Sequence, residues 1–79
     1  MVLADLNKGD KAVIKKVTVK GMLKNRLDSL GIYKGSNLFI AELSLAKSTI
    51  KIIVDNTMTA LRLEEAKNIE VEMIWKRLE

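Results

Sequence analysis

The side chains in this sequence that could do chemistry are lysines, arginines and carboxylates, and none of their spacings assembles a reactive centre. Histidine and cysteine are both absent, which removes the commonest general base, the commonest metal ligand and every thiolate reaction together. Asp5, Asp10, Asp28, Glu64 and Glu65 offer oxygen atoms alone, whereas transition metals in proteins are ordinarily held with histidine or cysteine among the ligands, so a dedicated metal site is not expected. No nucleophile stands beside a base. Gly21, Gly31 and Gly35 are too dispersed to cradle a phosphate and lack the Lys-Ser/Thr ending that a phosphate loop needs; they read as backbone devices. The expectation is a chain with no catalytic residue and no cofactor.

Recognition is the remaining chemistry. Residues 1–35 hold eight basic side chains against three acids, while residues 36–79 hold six against seven. Lys15, Lys16, Lys20 and Lys24 concentrate the excess. Such a face either steers an acidic protein, a nucleic acid or an anionic lipid, or simply solubilises. Nucleic acid is the less expected partner, because base stacking calls for aromatics near the lysines and Tyr33, Phe39 and Trp75 are dispersed. The absence of cysteine suits a reducing compartment. Met1-Val2-Leu3-Ala4 meets Asp5 too early for a signal peptide, and no apolar run approaches the ~20 residues that span a bilayer. A cytoplasmic protein without membrane insertion is expected. The 79 residues make one domain; Leu78-Glu79, which reads equally as native sequence or as an expression remnant, is set aside.

These side chains need a scaffold, and its one helix is written most clearly. Leu23, Leu27 and Leu30 recur at i, i+4, i+7, predicting a helix over Met22–Leu30. Gly31 can take the left-handed conformation that stops it, with Ile32 placed for a Schellman-type contact. The rest reads as strand: Lys11–Val19 after an Asn7-Lys8-Gly9-Asp10 turn, with Lys16-Val17 breaking the alternation as a bulge would, then Asn37–Leu45, Ser48–Asp55, Thr57–Leu63 and Asn68–Trp75. Leu45-Ala46-Lys47-Ser48 is expected to turn the first hairpin. Asp55-Asn56 suits a type I′ turn, and Glu64-Glu65-Ala66-Lys67 a single helical turn. Five short strands with one helix after the first predict a mainly β protein, a small SH3-like barrel closing on itself around Leu23, Leu27, Leu30, Ile32, Leu38, Ile40, Ile52, Val54, Leu61, Ile69 and Val71.

Apolar residues are left over. Val13, Phe39, Leu43, Leu45, Ile53, Met58, Ile74 and Trp75 fall on the opposite faces of their strands, more than so small a barrel can enclose, and a clustered apolar exterior marks a contact surface. Three readings stay open: a homodimer seam, docking on another protein, or apolar side chains simply scattered over the surface. Arg26, one position before Leu27, can lie across the helix edge onto backbone carbonyls or a carboxylate such as Asp28 or Glu65. It then serves as a helix-to-barrel clasp or as a partner contact, and Arg62 carries the same two readings.

Leu6…Gly9, then Gly21-x-x-x-x-Arg26-Leu27-x-x-Leu30-Gly31-Ile32-x-x-Gly35, then Thr59-Ala60-Leu61-Arg62-x-x-Glu65-Ala66-x-x-Ile69-x-Val71 together resemble the FeoA family, small cytosolic accessory proteins of bacterial ferrous iron uptake. The chain departs from that pattern at Tyr33-Lys34-Gly35, at the Leu45–Ser48 hairpin and at Asn56, where the family commonly has proline or glycine. The resemblance implies an SH3-like fold, no catalysis, and a partner in the cytosolic part of a FeoB-type transporter with its GTP-binding domain. Arg26, Phe39, Leu43, Leu45, Lys47, Met58 and Arg62 are then the candidate contact residues. Two other functions fit an SH3-like domain: a module of a metal-dependent repressor and a small basic nucleic-acid-binding barrel.

Overall fold

The computed structural model describes residues 1–75, so Leu78-Glu79 lies outside the described residues. A 3-10 turn at Leu3–Asp5 precedes β1 (Lys11–Val17), α1 (Met22–Ser29), β2 (Asn37–Leu43), β3 (Thr49–Val54), β4 (Thr57–Arg62), the single turn α2 (Leu63–Ala66) and β5 (Ile69–Trp75). All five strands join one antiparallel sheet in the order β4-β3-β2-β1-β5.

The sheet bends as an SH3-like domain does but does not close. β4 and β5 are the two ends of the ladder and share no strand pairing. The gap is covered by side chains instead. α2 links the two edge strands, and the 3-10 turn packs against both α2 and β5, with Leu3, Leu6 and Ala66 fully buried. The chain start also shields the free edge of β5, where Val2 bridges Glu70 and the Val71 N–H donates to Met1 O at 2.9 Å. Covering an edge in this way removes a template for unwanted strand pairing.

Three bulges supply the bend. Lys15 is extra between the Ile14–Val71 and Lys16–Glu70 pairs, Ala41 between Ile40–Ile52 and Glu42–Lys51, and Ile74 between Trp75–Lys11 and Met73–Ala12. Each inserted residue adds local twist and reverses the side-chain parity beyond it. The first lies one residue before the predicted break. The second was not anticipated, and it corrects the reading of Leu43: past Ala41, Leu43 pairs with the fully buried Ile50 and packs against the core rather than standing on the outer face.

The local signals around α1 and the β3–β4 hairpin were sound. Gly31 adopts φ +83°, the Ile32 N–H donates to Leu27 O at 2.9 Å and the Gly31 N–H to Asp28 O at 3.1 Å, the paired bonds of a Schellman motif. Ile32 and Leu27 are both fully buried. Leu23 and Leu30, expected in the core, are half-buried against it, because this eight-residue helix lies on the rim and presents one residue squarely inward. Asp55 and Asn56 take φ 51° and 64° between the paired Val54 and Thr57, as a two-residue type I′ turn requires.

Candidate interaction surfaces

The outer face of the sheet carries a row of side chains across all five strands. Met58 on β4 pairs with Ile53 on β3, Ile53 with Phe39 on β2, Phe39 with Lys11 on β1, and Lys11 with Trp75 on β5. Four inter-strand steps make the row ~19 Å long. Phe39 and Ile53 are half-buried by their neighbours, whereas Met58, Trp75 and the bulged Ile74 expose 56%, 51% and 56% of their surfaces. Ile74 lines the same shallow groove as Lys11, Phe39 and Ile53, with Asp55 and Asn56 at its end. A mostly apolar row, crossed by Lys11 and edged by polar side chains, has the anatomy of a protein contact.

Arg26 and Arg62 meet elsewhere, through Glu65. Arg26 Nη1 donates to Glu65 Oε2 at 2.6 Å, while the Arg62 backbone N–H donates to Oε1 of the same carboxylate at 2.9 Å. One carboxylate therefore ties α1 to the start of α2 and satisfies an N–H that the helical turn leaves open. The Arg62 side chain remains exposed at the end of β4.

Leu45 and Lys47 occupy a third place, the β2–β3 turn. Leu45 is fully exposed at its tip. Lys47 holds φ 55° with its N–H donating to Ser44 O at 2.9 Å. The candidate residues thus separate: Phe39 and Met58 share the row, Arg26 and Arg62 the clasp, Leu45 and Lys47 the hairpin, and Leu43 turns inward. Ile53 and Trp75 join Phe39 and Met58 in the row, although only their apolar surplus, and no motif, pointed to them. Among the lysines, Lys16, Lys20 and Lys24 line one depression, while Lys15 pairs with Glu72 at 3.0 Å.

The sequence and fold now meet a known family. Residues 1–73 match the FeoA domain. The chain belongs to the FeoA family. It is 42% identical over 74 residues to a Campylobacter jejuni protein named Fe(2+) transport protein A, covering 94% of this chain and 100% of that protein. It is also 30% identical over 74 residues to the Fe(2+) transport protein A/Fe(2+) transporter FeoB fusion protein of Porphyromonas gingivalis, of whose length it spans 9%. Among solved structures, the zinc-complexed Stenotrophomonas maltophilia FeoA, described as a prokaryotic SH3 domain protein, superposes with a TM-score of 0.79 at 28% identity, covering 91% of this chain and 89% of that one. Among the described residues no three carboxylates come together as a metal site would need, and no helix is long and apolar enough to cross a membrane.

Proposed function

We propose that this FeoA-family chain is a non-catalytic accessory protein of ferrous iron uptake that binds the cytosolic part of a FeoB-type transporter. The observation that carries this reading is the Porphyromonas gingivalis relative, in which an Fe(2+) transport protein A and the transporter FeoB are one polypeptide. Fusion holds two chains at high effective concentration, an arrangement that suits parts with a shared task. The Met58–Ile53–Phe39–Trp75 row supplies a surface for the contact, since exposed methionine and aromatic side chains are the types that anchor interfaces.

The test is direct binding between this chain and the purified cytosolic domain of its cognate transporter. Met58→Asp and Trp75→Ala, both on exposed side chains, are expected to weaken binding about tenfold or more, while Leu45→Ser at the hairpin tip leaves it within about twofold. Unchanged affinity in both row variants, with circular dichroism matching the parent, would remove the row from the interface. Normal iron uptake in a deletion strain would remove the function.

A further inference from the structure

The corner where β1 hands over to α1 has properties that the transporter reading does not use. Lys16, Lys20 and Lys24 line one depression floored by Val17 and Val19. All three lysines are exposed. The ion pairs among the described residues engage Lys15, Arg26 and Lys51 and leave these three out. Glu70 stands opposite Lys16 in the ladder but forms no ion pair with it. Between Lys20 and Lys24, Met22 exposes 88% of its surface. Its place is on the first turn of α1, just after Gly21 bends the chain at φ 70°. The platform is fixed, since the Thr18 N–H and Oγ each donate to Asn68 O, at 2.8 and 2.9 Å.

We infer that this corner is an anionic-membrane docking surface, with Lys16, Lys20 and Lys24 lying on lipid phosphates and Met22 dipping into the headgroup–acyl boundary. Two observations choose a bilayer over nucleic acid. No aromatic side chain lines the depression to stack on a base, and the 88% exposed Met22 is apolar, a side chain that a charged polyanion would leave in water but a bilayer interface accepts. The attachment is adsorption, not spanning. The corner also lies five residues along β1 from Lys11, ~17 Å away, and shares no lining residue with the groove of the outer row.

Flotation of the intact chain with phosphatidylcholine vesicles, with and without phosphatidylglycerol, tests the inference without any transporter present, so its outcome is independent of the transporter reading. Binding is expected only with phosphatidylglycerol, and is expected to collapse by about 0.5 M salt, where screening shortens to ~4 Å. Each lysine near an anionic surface contributes about fivefold to partitioning. Lys16→Gln, Lys20→Gln and Lys24→Gln together should therefore reduce binding about a hundredfold. Met22→Ser should lower it severalfold. A charge-matched triple variant at the exposed Lys8, Lys34 and Lys67 should retain most of it, because those positions lie outside the depression. Three outcomes would overturn the assignment: equal binding to neutral vesicles, equal losses in the two triple variants, or capture of poly-uridylate RNA through Lys16, Lys20 and Lys24 while vesicles are ignored.

Discussion

Replacing Glu65 with alanine severs two bonds at once, and their sizes can be worked from the geometry. The Arg26 Nη1 to Glu65 Oε2 contact is 2.6 Å, short and charge-assisted, with the arginine side chain 52% exposed and the glutamate 12%. A hydrogen bond to a charged group is worth about 1.5–3 kcal/mol when buried. Exposure of the arginine half brings this pair down to about 1 kcal/mol. The second bond, from the Arg62 N–H to Oε1, is a helix-capping interaction at 2.9 Å, worth about 1 kcal/mol. Glu65→Ala should therefore destabilise the fold by about 2 kcal/mol, a fall in Tm of roughly 10 °C for a domain of this size. Urea and thermal denaturation followed by circular dichroism measure it. Arg26→Ala should remove the first bond alone, and the Arg26/Glu65 double-mutant cycle should return a coupling of about 1 kcal/mol. A coupling within about 0.3 kcal/mol of zero would refute the reasoning, because independent sites add to that accuracy. The same variants separate the two roles open to Arg26. As a clasp, Arg26→Ala lowers Tm yet binds the transporter domain like the parent below that temperature; a tenfold affinity loss in a fully folded variant would make it a partner contact.

Leu27→Ala empties the fully buried position that α1 turns inward and should cost about 3–5 kcal/mol, against about 1 kcal/mol for the same change at half-buried Leu23, both read by urea denaturation. Gly31→Ala places a Cβ in a backbone held at φ +83°, 3.4 Å from Asp55 Oδ2 and 3.5 Å from Val54 Cγ1; a loss of about 1–2 kcal/mol is expected from the left-handed conformation alone. Asn56→Gly relieves a non-glycine residue at φ 64° in the type I′ turn and should raise Tm by a few degrees, whereas an unchanged or lower Tm would show that asparagine sits there without strain.

The parts of this molecule that were legible are those whose signals are local. Leu27, Gly31 and Ile32 specify a helix end within six residues, and Asp55-Asn56 specifies a turn within four, since only a few backbone conformations satisfy each set of side chains and N–H groups. For Arg26 the spacing leaves backbone carbonyls, Asp28 and Glu65 open, and only the folded chain selects Glu65, 39 positions away. Closure of the barrel was not legible. Whether β4 meets β5 depends on what fills the space between them, and Leu3 and Leu6 fill it from a segment whose only visible signal was two leucines ahead of a turn.

Leu43 takes the other face for a more general reason, and the bulge at Ala41 explains it. Alternation along Phe39, Ala41 and Leu43 places all three on one face, and a reader of spacing has no ground to break it, because an inserted residue in a strand changes no side-chain type. With Ala41 extra, Phe39 stays outside and Leu43 goes in. At the other end of the sheet the bulged Ile74 keeps both itself and Trp75 exposed, beside Lys11, where strict alternation along β5 would have turned one of them inward. The bulge therefore adds Trp75 to the outer row, where regular pairing would have placed Ile74 alone opposite Lys11. The same irregularity at Lys15 sends Lys16 outward and Val17 inward, which sets the lysine of the β1–α1 corner above an apolar floor. Bending the sheet and composing its two outer surfaces are thus one structural event, and restoring regular pairing by deleting Ala41 or Lys15 should alter the surfaces together with the curvature.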